Sequence, residues 1–246
     1  MNVVVTGGGT VAPIDEVRQI TNVSSGRFSA ALSEACLGRG ASVWHLHAPA
    51  AHLPIPRAAR LDLTLSGPRL DDELTRLRRL SRFYEEHAGR LHLVPLAEGT
   101  VADYSATLEG LLREVRPDLI FLAMAVSDYE PEPVAGKIDS DEPVITIRAR
   151  RAPKVIRSVR DWSPSVFLVG FKLLSRADPA ALIRAAEAAC LRNRADLTVA
   201  NDLQTLLEDR HTVHLVRPGY PAETLGPGAS IAEDLVDRVL ALAAER

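Results

Sequence analysis

The sequence predicts an α/β fold: a doubly wound, mostly parallel, Rossmann-like sheet with helices on both faces and a small projecting β-arm. Short apolar runs alternate with amphipathic helical patterns along the chain, which is typical of repeated strand–helix–strand units. One apolar run, residues 119–126, is too short to span a membrane and has polar residues at both ends, as in a strand buried within a parallel sheet. At 246 residues, one large domain covering residues 1–246 is expected.

The elements follow from these patterns in chain order. The predicted strands are short apolar or alternating runs, at residues 3–5, 42–48, 61–65, 91–96, 119–126, 144–149, 166–170, 197–200 and 211–216. The predicted helices have apolar residues at helical spacing and run from 24–26 to 38 or 40, over 70–87, over 101–115, briefly from Pro153, over 178–194 and over 231–244. A long surface connection is expected over residues 49–69, and the 144–149 strand should form the projecting arm.

A glycine-rich loop, residues 6–10, follows the first predicted strand. Consecutive glycines let the backbone approach a ligand closely and expose its N–H groups. A match to the dinucleotide pattern Gly-x-Gly-x-x-Ala begins at Gly7, but no helix is predicted directly after it. The second strand also ends in Ala48-Pro49 and not in an acidic residue, which counts against a nicotinamide dinucleotide.

The predicted helix start at residues 24–26 is a candidate anion site. Ser24 or Ser25 is expected to be the N-cap, and free N–H groups beside a serine hydroxyl attract anions. We expect residues 7–9 and Asn22 to converge on the same place. The alternative is that the serine only caps the helix.

Lysine usage indicates a second group of candidate site residues. Of 29 basic residues only three are lysines, Lys137, Lys154 and Lys172, each near a predicted strand end or helix start. An ammonium group acts as a compact point charge for phosphate, unlike the planar guanidinium group. Asp128 lies just beyond the 119–126 strand, where open parallel sheets bind ligands. We expect a site for a small charged ligand here, and the alternative is a polar surface turn.

The composition excludes several functional classes. A net charge of −3 gives no basic surface for nucleic acid. Cys36 and Cys190 lie in helical patterns and are expected to be small core residues, while His45 and His47 are expected to pack and not to bind a metal. The sequence has no run of membrane length and no signal-peptide pattern, so a cytoplasmic location is expected.

Five motifs together resemble phosphopantothenate–cysteine ligase, also called phosphopantothenoylcysteine synthetase, an enzyme family of coenzyme A biosynthesis. They are GGGTVAPIDEVRQITNVSSG at 7–26, AMAVSDYEP at 123–131, GKI at 136–138, GFKLL at 170–174 and VAND at 199–202. The motifs occur in the family's order, and the first is long and specific. No flavin-binding decarboxylase partner is present in the sequence, so the resemblance is to the free-standing form, without flavin.

The resemblance implies a two-step reaction. A nucleoside triphosphate with Mg²⁺ activates the carboxylate of 4′-phosphopantothenate as an acyl-nucleotidyl anhydride and releases pyrophosphate, and the amine of L-cysteine then attacks. By resemblance, Lys137 stabilises the α-phosphate and Asn22 holds the acyl carbonyl. The resemblance gives no metal ligands. The remaining implied contacts are with the nucleotide, from Gly8, Gly9, Ser24, Ser25, Gly26, Ala123, Met124, Ala125, Asp128, Lys154, Phe171 and Lys172, and with the substrate, from Asn201.

Some features depart from the family pattern or favour another class. Bacterial two-domain relatives carry two lysines before the VAND-type motif, where this chain has Arg192-Asn193-Arg194, so both CTP and ATP stay open, with CTP preferred. The family implies a homodimer, for which the arm at 139–150 is a candidate contact. A short-chain reductase needs a tyrosine followed four residues later by lysine, and none of the four tyrosines fits. A non-catalytic nucleotide sensor with the same fold is the remaining alternative.

Overall fold

The computed structural model describes residues 1–139, 141, 143–207, 212–228 and 230–245. The strands are β1 Asn2–Gly7, β2 Val11–Pro13, β3 Gln19–Thr21, β4 Ser42–His47, β5 Leu91–Pro95, β6 Leu119–Leu122, β7 Tyr129–Pro131, β8 Ala149–Arg151, β9 Phe167–Leu174, β10 Leu197–Asp202, β11 Val213–Val216 and β12 Glu223–Leu225. The α-helices are α1 Arg27–Gly38, α2 Pro68–His87, α3 Val101–Val115, α4 Val159–Trp162, α5 Pro179–Asn193, α6 Leu203–Leu207 and α7 Ile231–Ala244. Short 3₁₀ turns lie at Pro56–Ala58, Ala88–Arg90 and Val155–Ser158.

Eight of these strands form one sheet in the order β12-β11-β10-β9-β6-β1-β4-β5. The run from β10 to β5 is parallel, whereas β11 and β12 are antiparallel. The chain moves outward from β1 through β4 to β5, and then returns to place β6 on the other side of β1. The strand order therefore reverses between β1 and β6, and the predicted mostly parallel, doubly wound fold is confirmed.

Two apolar clusters cover the two faces of the sheet. On one face, α1 and α7 pack on alternate residues of the central strands, such as Val3, Val5 and Phe121. On the other, α3 and α4 pack on the intervening residues, such as Val4 and Ile120. Because side chains alternate along a strand, a central strand covered on both faces must be apolar throughout, as the sequence predicted.

The histidine and cysteine predictions concern the same core. His45 and His47 are buried with their rings 6.0 Å apart, and Nδ1 of His45 lies 2.8 Å from the Ser33 hydroxyl, so their packing role is confirmed. Burial lowers the pKa of His45 to about 3, which keeps its ring neutral. Cys36 and Cys190 are also buried, as predicted, and neither forms a disulfide. Among the described residues, no helix has both the length and the apolar character needed to cross a membrane.

Several boundary predictions were wrong. Residues 61–65 form turns and no strand, and the strand predicted at 119–126 already ends at Leu122. Strand β9 continues to Leu174, so it contains the Phe171-Lys172 pair that was expected to follow it. The strand predicted over 211–216 as the last of the chain is β11, which begins at Val213, and it is followed by a further strand, β12, that was not predicted. His211 lies outside the described residues.

The arm also differs from the prediction. Residues 144–148 are not in a strand; β8 begins at Ala149 and pairs with β7 in a separate two-stranded ribbon. The alternating apolar residues of this segment are exposed, with Val144 77% and Ile145 45% accessible. Alternation predicted a half-buried strand, but no face of the sheet lies under this segment to bury its apolar side. Residues 140 and 142 of the predicted arm lie outside the described residues.

A second small ribbon, the β2–β3 hairpin, was not predicted. Its three antiparallel pairs run from Val11–Thr21 to Pro13–Gln19, and Ile14–Arg18 form its tip. We call this tip the Asp15 turn. The hairpin rises from the carboxyl edge of the sheet, directly after β1, and α1 follows it.

Candidate active site

The loops that follow β1 and β6 meet at the strand-order reversal. Gly9 and Ala125 form a parallel bridge, in which the Ala125 N–H donates to the Gly8 carbonyl at 2.8 Å and the Thr10 N–H donates to the Ala125 carbonyl at 3.1 Å. Beyond the bridge, the segment after Gly9 leads to α1 and the segment after Ala125 leads to α4, and these two helices lie on opposite faces of the sheet. A crevice beyond the carboxyl ends of strands at such a reversal is where open α/β sheets bind ligands.

Two buried threonines hold the second of these loops in place. The Thr6 hydroxyl oxygen accepts the Met124 N–H at 3.2 Å, and the Thr10 hydroxyl oxygen accepts the Ser127 N–H at 2.9 Å. The Tyr104 hydroxyl also donates to Thr6 at 3.4 Å, and burial raises the pKa of this phenol, so it stays a donor. The backbone between Met124 and Ser127 is therefore fixed by β1 and by the glycine loop that follows it.

Asn22 is joined to the same bridge. Its side-chain amide donates to the Ala125 carbonyl at 3.4 Å, and the neighbouring Thr21 hydroxyl donates to the Thr10 carbonyl at 3.0 Å. Asn22 is otherwise exposed. Its carboxamide thus lies at the base of the hairpin with its remaining hydrogen-bonding capacity directed to solvent or to a ligand.

The start of α1 lies against the glycine loop, as expected, but its cap is not a serine. Gly26, in a left-handed conformation with φ of 74°, occupies the N-cap position, and no side chain caps the helix. A Cβ added at Gly26 would lie 3.3 Å from the Gly8 nitrogen, so the glycine permits this close approach. The Ser25 hydroxyl is 3.4 Å from the Arg27 nitrogen, while its carbonyl accepts the His52 N–H at 2.9 Å. With no side-chain cap and no acidic residue in its first turn, α1 presents N–H groups suited to an anion.

Asp128 and Lys154 form an ion pair next to this site. The Ala152 N–H also donates to the Asp128 carbonyl at 2.9 Å, which ties β8 to the loop after β6. Lys154 precedes the Val155–Ser158 turn and does not lie in the first turn of a helix, because that turn is 3₁₀ and α4 begins only at Val159. The prediction of a short helix that begins at Pro153 is therefore wrong at its start, although Lys154 does reach the Asp128 carboxylate.

Lys137 lies at the tip of the hairpin and not at its base. The backbone on either side of it is hydrogen-bonded to the Asp15 turn, while the Lys137 side chain is exposed. Within the part of the chain that the structure describes, no hydrogen bond or ion pair joins Lys137 to Asn22 or Asp128. The hairpin strands of three residues separate its base from its tip by about 10 Å.

The three remaining candidates lie on neighbouring strands. Phe171 is half-buried on the α1 face and meets Phe28 edge to face at 6.2 Å. Lys172, the next residue of β9, must point to the opposite face and is paired in register with Ala200. Asn201 is the penultimate residue of β10, which lies three strands from β1, or about 14 Å across the sheet.

Sequence reasoning gave no role to four residues that shape the site: Thr6, Thr10, Asp15 and Arg18. Thr6 could have been recognised as a polar residue near the buried end of an apolar strand, whereas Thr10 lies in the glycine loop beyond that strand. Asp15 precedes two N–H donors that its carboxylate accepts, at Val17 and Arg18, which is the pattern of an Asx turn. The hydrogen bonds that these residues form with distant parts of the chain cannot be recognised from a single sequence.

Comparisons with known proteins show the family of the chain. Residues 1–68 and 100–242 match the family described as DNA/pantothenate metabolism flavoprotein C-terminal domain. The chain is 31% identical to the phosphopantothenate–cysteine ligase of Homo sapiens, over 96% of this chain and 84% of the relative. It is 29% identical to the coenzyme A biosynthesis bifunctional protein CoaBC of Thermococcus kodakarensis, over 87% of this chain and 44% of the relative.

Solved structures give the same result. The DNA/pantothenate metabolism flavoprotein from Streptococcus pneumoniae is 25% identical with a TM-score of 0.76, over 98% of this chain and 99% of that one. A mutant of Cab2 in complex with phosphopantothenate-cysteine is 25% identical with a TM-score of 0.81, over 99% of this chain and 86% of that one. The resemblance predicted from the five motifs is confirmed: the chain belongs to the DNA/pantothenate metabolism flavoprotein C-terminal domain family, together with the phosphopantothenate–cysteine ligases.

Proposed function

We propose that this chain is a phosphopantothenate–cysteine ligase, which joins the carboxyl group of 4′-phosphopantothenate to the amine of cysteine in coenzyme A biosynthesis. The main support for the proposal is the junction of Gly9 and Ala125, where Asn22 lies close to the start of α1, which has no side-chain cap. The chain that forms this junction is similar to a phosphopantothenate–cysteine ligase over 96% of its length. Joining two anionic reactants through a nucleotide needs a site that cancels phosphate charge. N–H groups and lysines around an exposed amide suit that chemistry.

The nucleotide is proposed to lie along the bridge. Backbone groups of residues 123–125 and Asp128 would contact it on one side. The N–H groups of Gly8, Gly9 and the 24–26 segment would hold phosphate oxygens on the other. Phe171 would pack against the base or ribose. Lys172 would contact the nucleotide, and Asn201 would contact the substrate.

Lys154 is proposed to exchange its partner when the nucleotide binds. The side chains of Lys154 and Asp128 are 36% and 63% exposed, so their ion pair is worth at most about 1 kcal/mol. A phosphate with several negative oxygens competes effectively for such a lysine. The carboxylate of Asp128 would then be free to accept a hydrogen bond from a hydroxyl group of the ribose.

Lys137 and Asn22 are proposed to act in successive steps. In the first step, the carboxylate of phosphopantothenate attacks the α-phosphorus, the bond to the pyrophosphate leaving group breaks, and Lys137 stabilises the negative charge on the transferring phosphate. In the second, the cysteine amine attacks the acyl carbon, whose carbonyl oxygen is held by the Asn22 amide, and the nucleoside monophosphate leaves. The span of about 10 Å between the hairpin base and tip can be bridged by an extended lysine side chain and the reacting groups.

Mg²⁺ is expected to arrive with the triphosphate. This ion is commonly held by one or two carboxylates together with phosphate oxygens. The described residues contain no cluster of three or more metal-ligating side chains, which fits an ion held mainly by the nucleotide, and Asp128 is an exposed carboxylate at the site. When bound, the ion would neutralise part of the phosphate charge.

The nucleotide and the assembly are further parts of the proposal. Both CTP and ATP remain candidates, with CTP preferred, and direct competition between them would decide. A homodimer is expected, with the exposed apolar residues of the arm as one contact. Their side chains are 77%, 45% and 40% accessible at Val144, Ile145 and Ile147, and burying them would remove apolar surface from water.

Pyrophosphate release tests the proposed reaction directly. The purified chain is expected to release pyrophosphate from CTP or ATP only when phosphopantothenate is present, and to form the amide when cysteine is added. A nucleotide sensor would bind nucleotide without release, and a reductase would instead consume a nicotinamide cofactor. Absence of phosphopantothenate-dependent release with both nucleotides would refute the proposal.

A further inference from the structure

The segment that carries Lys137 is attached to the rest of the protein through the Asp15 turn. The Val134 N–H donates to the Ile14 carbonyl at 2.9 Å, and the Glu16 N–H donates to the Gly136 carbonyl at 3.1 Å. The Gly136 N–H donates to the Glu16 carboxylate at 3.2 Å. The segment itself is poorly buried, so these hydrogen bonds hold it where apolar packing does not.

The Asp15 carboxylate is the buried centre of this contact. Its side chain has no accessible surface. One oxygen, Oδ1, accepts the N–H groups of Val17 and Arg18 at 2.9 and 2.7 Å within the turn. The other, Oδ2, accepts the Ile138 N–H at 3.1 Å and the Arg18 guanidinium, which also donates to the Ile138 carbonyl at 3.2 Å.

The charge state of Asp15 agrees with this arrangement. Burial alone would raise the pKa of the carboxyl group. The hydrogen bonds from Val17, Ile138 and Arg18 outweigh burial and lower the pKa to about 2. The carboxylate is therefore ionised near neutral pH, and it accepts the Ile138 N–H as a charge-assisted hydrogen bond.

We propose that Asp15 is a positioning residue for Lys137, because Oδ2 fixes the backbone directly after the lysine while Oδ1 holds the turn that supports it. The inference rests on the proposed function, in which Lys137 stabilises the α-phosphate. Gly136 and Ile138 are both bonded to the Asp15 turn, so the lysine backbone is fixed on either side and only its side chain is free to follow the phosphate. Ordering the segment before binding removes an entropic cost from the first chemical step.

Asp15→Asn separates the two functions of the carboxylate. An asparagine can direct its carbonyl oxygen towards the N–H groups of Val17 and Arg18 and so keep the turn. Its amide nitrogen would then face the Ile138 N–H and the Arg18 guanidinium, which are also donors. The hydrogen bond from the Ile138 N–H to the side chain of residue 15 is lost, while the local turn and the backbone bonds of Ile14 and Glu16 remain.

The matched control is Asp196→Asn. The Asp196 carboxylate also accepts an arginine guanidinium, from Arg160, and a backbone N–H, from Leu168 at 2.7 Å. It precedes β10 and therefore lies at the opposite edge of the sheet. Loss of general stability should affect both variants, whereas loss of Lys137 positioning should affect only Asp15→Asn.

Cleavage by a lysine-specific protease measures the positioning without any ligand. The chain has only three lysines, so fragments report on residues 137, 154 and 172 separately. Asp15→Asn should speed cleavage after Lys137 about tenfold, as expected for the loss of a hydrogen bond to a charged group, with cleavage after Lys172 unchanged. Unchanged cleavage after Lys137 in a folded variant would overturn the proposal. If Asp15→Asn does not fold, Glu16→Ala removes one exposed bond of the same contact, and the same cleavage test applies.

The double variant shows whether Asp15 acts through Lys137. Asp15→Asn should lower the maximal rate of pyrophosphate release about tenfold with little change in KM for phosphopantothenate, and should add nothing in a Lys137→Ala background. A further tenfold loss in that background would show that Asp15 acts by another route and would overturn the proposal. Full activity of Lys137→Ala alone would instead refute the role of the lysine in the proposed function. In that case the protease result would still report on the anchoring.

Discussion

Gly9→Ala is expected to slow amide formation by moving Asn22. Gly9 does not have a positive φ, so alanine is compatible with its backbone and the effect is steric. The added Cβ would lie 2.5 Å from the Asn22 carbonyl oxygen, whereas ordinary contacts begin at 3.4 Å. Asn22 must therefore retreat by about 0.9 Å. A displacement of about 1 Å of a group that orients a reacting atom can cost about 100-fold in rate.

The assay separates the two steps of the reaction. Gly9→Ala enzyme is mixed with phosphopantothenate and nucleotide, pyrophosphate release is followed, and cysteine is then added to measure amide formation in a single turnover. The second step should slow about 100-fold, and the first step should slow less. Gly110→Ala is the control, because a Cβ there meets nothing within 4 Å and should stabilise α3 by up to about 1 kcal/mol. Amide formation at the unaltered rate in folded Gly9→Ala would refute the placement of Asn22.

Four further outcomes are expected. Lys137→Ala should reduce pyrophosphate release about 100-fold or more with an unchanged circular dichroism spectrum, and near-normal release would remove the lysine from the first step. Asn22→Asp should let the acyl-nucleotide accumulate, as seen by mass spectrometry, and rapid product formation would contradict its role in the second step. Lys154→Ala should weaken nucleotide binding about tenfold in isothermal titration, and unchanged affinity would exclude a phosphate contact. The pKa of Asp15 is lowered from 3.8 to about 2, so its ionised form contributes stability that is complete above about pH 4 and is lost as pH falls to about 2. When the free energy of unfolding is measured as a function of pH, Asp15→Asn should not show the loss of stability between about pH 4 and pH 2 that the parent shows. The same decrease in both proteins would contradict this.

Much of the fold could be predicted because the main helices and central strands have clear patterns of apolar residues. Helices 101–115 and 231–244 were predicted to the residue, since each has an apolar stripe at helical spacing. The fully apolar runs of β1 and β6 indicated strands covered on both faces. The family could be predicted because the 7–26 motif is long, and the family match over residues 1–68 and 100–242 confirmed it. In the structure this motif forms the glycine loop, the hairpin and the start of α1.

The small ribbons could not be predicted, because their strands are too short to show a periodic pattern. Strands β2 and β3 have only three residues each, and the pattern of Val11–Pro13 is interrupted by proline. The turn that joins these two strands is hydrogen-bonded to residues 134–138, more than 110 positions away in the sequence, and one sequence gives no sign of such a contact. The alternation of apolar and polar residues over 144–149 predicted a strand with one buried face. Such alternation indicates a strand only where a sheet or core is present to bury the apolar side.

The candidate site was predicted in part, and most of its assignments stay predictions. The sequence brought together the glycine loop, Asn22 and residues 24–26, and the structure places these in contact. It did not predict that Gly26 replaces a serine cap, because a left-handed N-cap depends on how closely the chain must approach Gly8. It also gave no indication that Lys137 lies at a hairpin tip, since the hydrogen bonds that place it there come from Asp15 and Glu16.

A crystal structure of the protein with phosphopantothenate and a non-hydrolysable CTP or ATP analogue would test the proposed site most directly. We expect the phosphates at the glycine loop and the start of α1, the acyl group at Asn22, and the Lys137 ammonium group within hydrogen-bonding distance of the α-phosphate. A nucleotide bound away from the junction of Gly9 and Ala125, with Asn22 and Lys137 both facing solvent, would contradict the proposal.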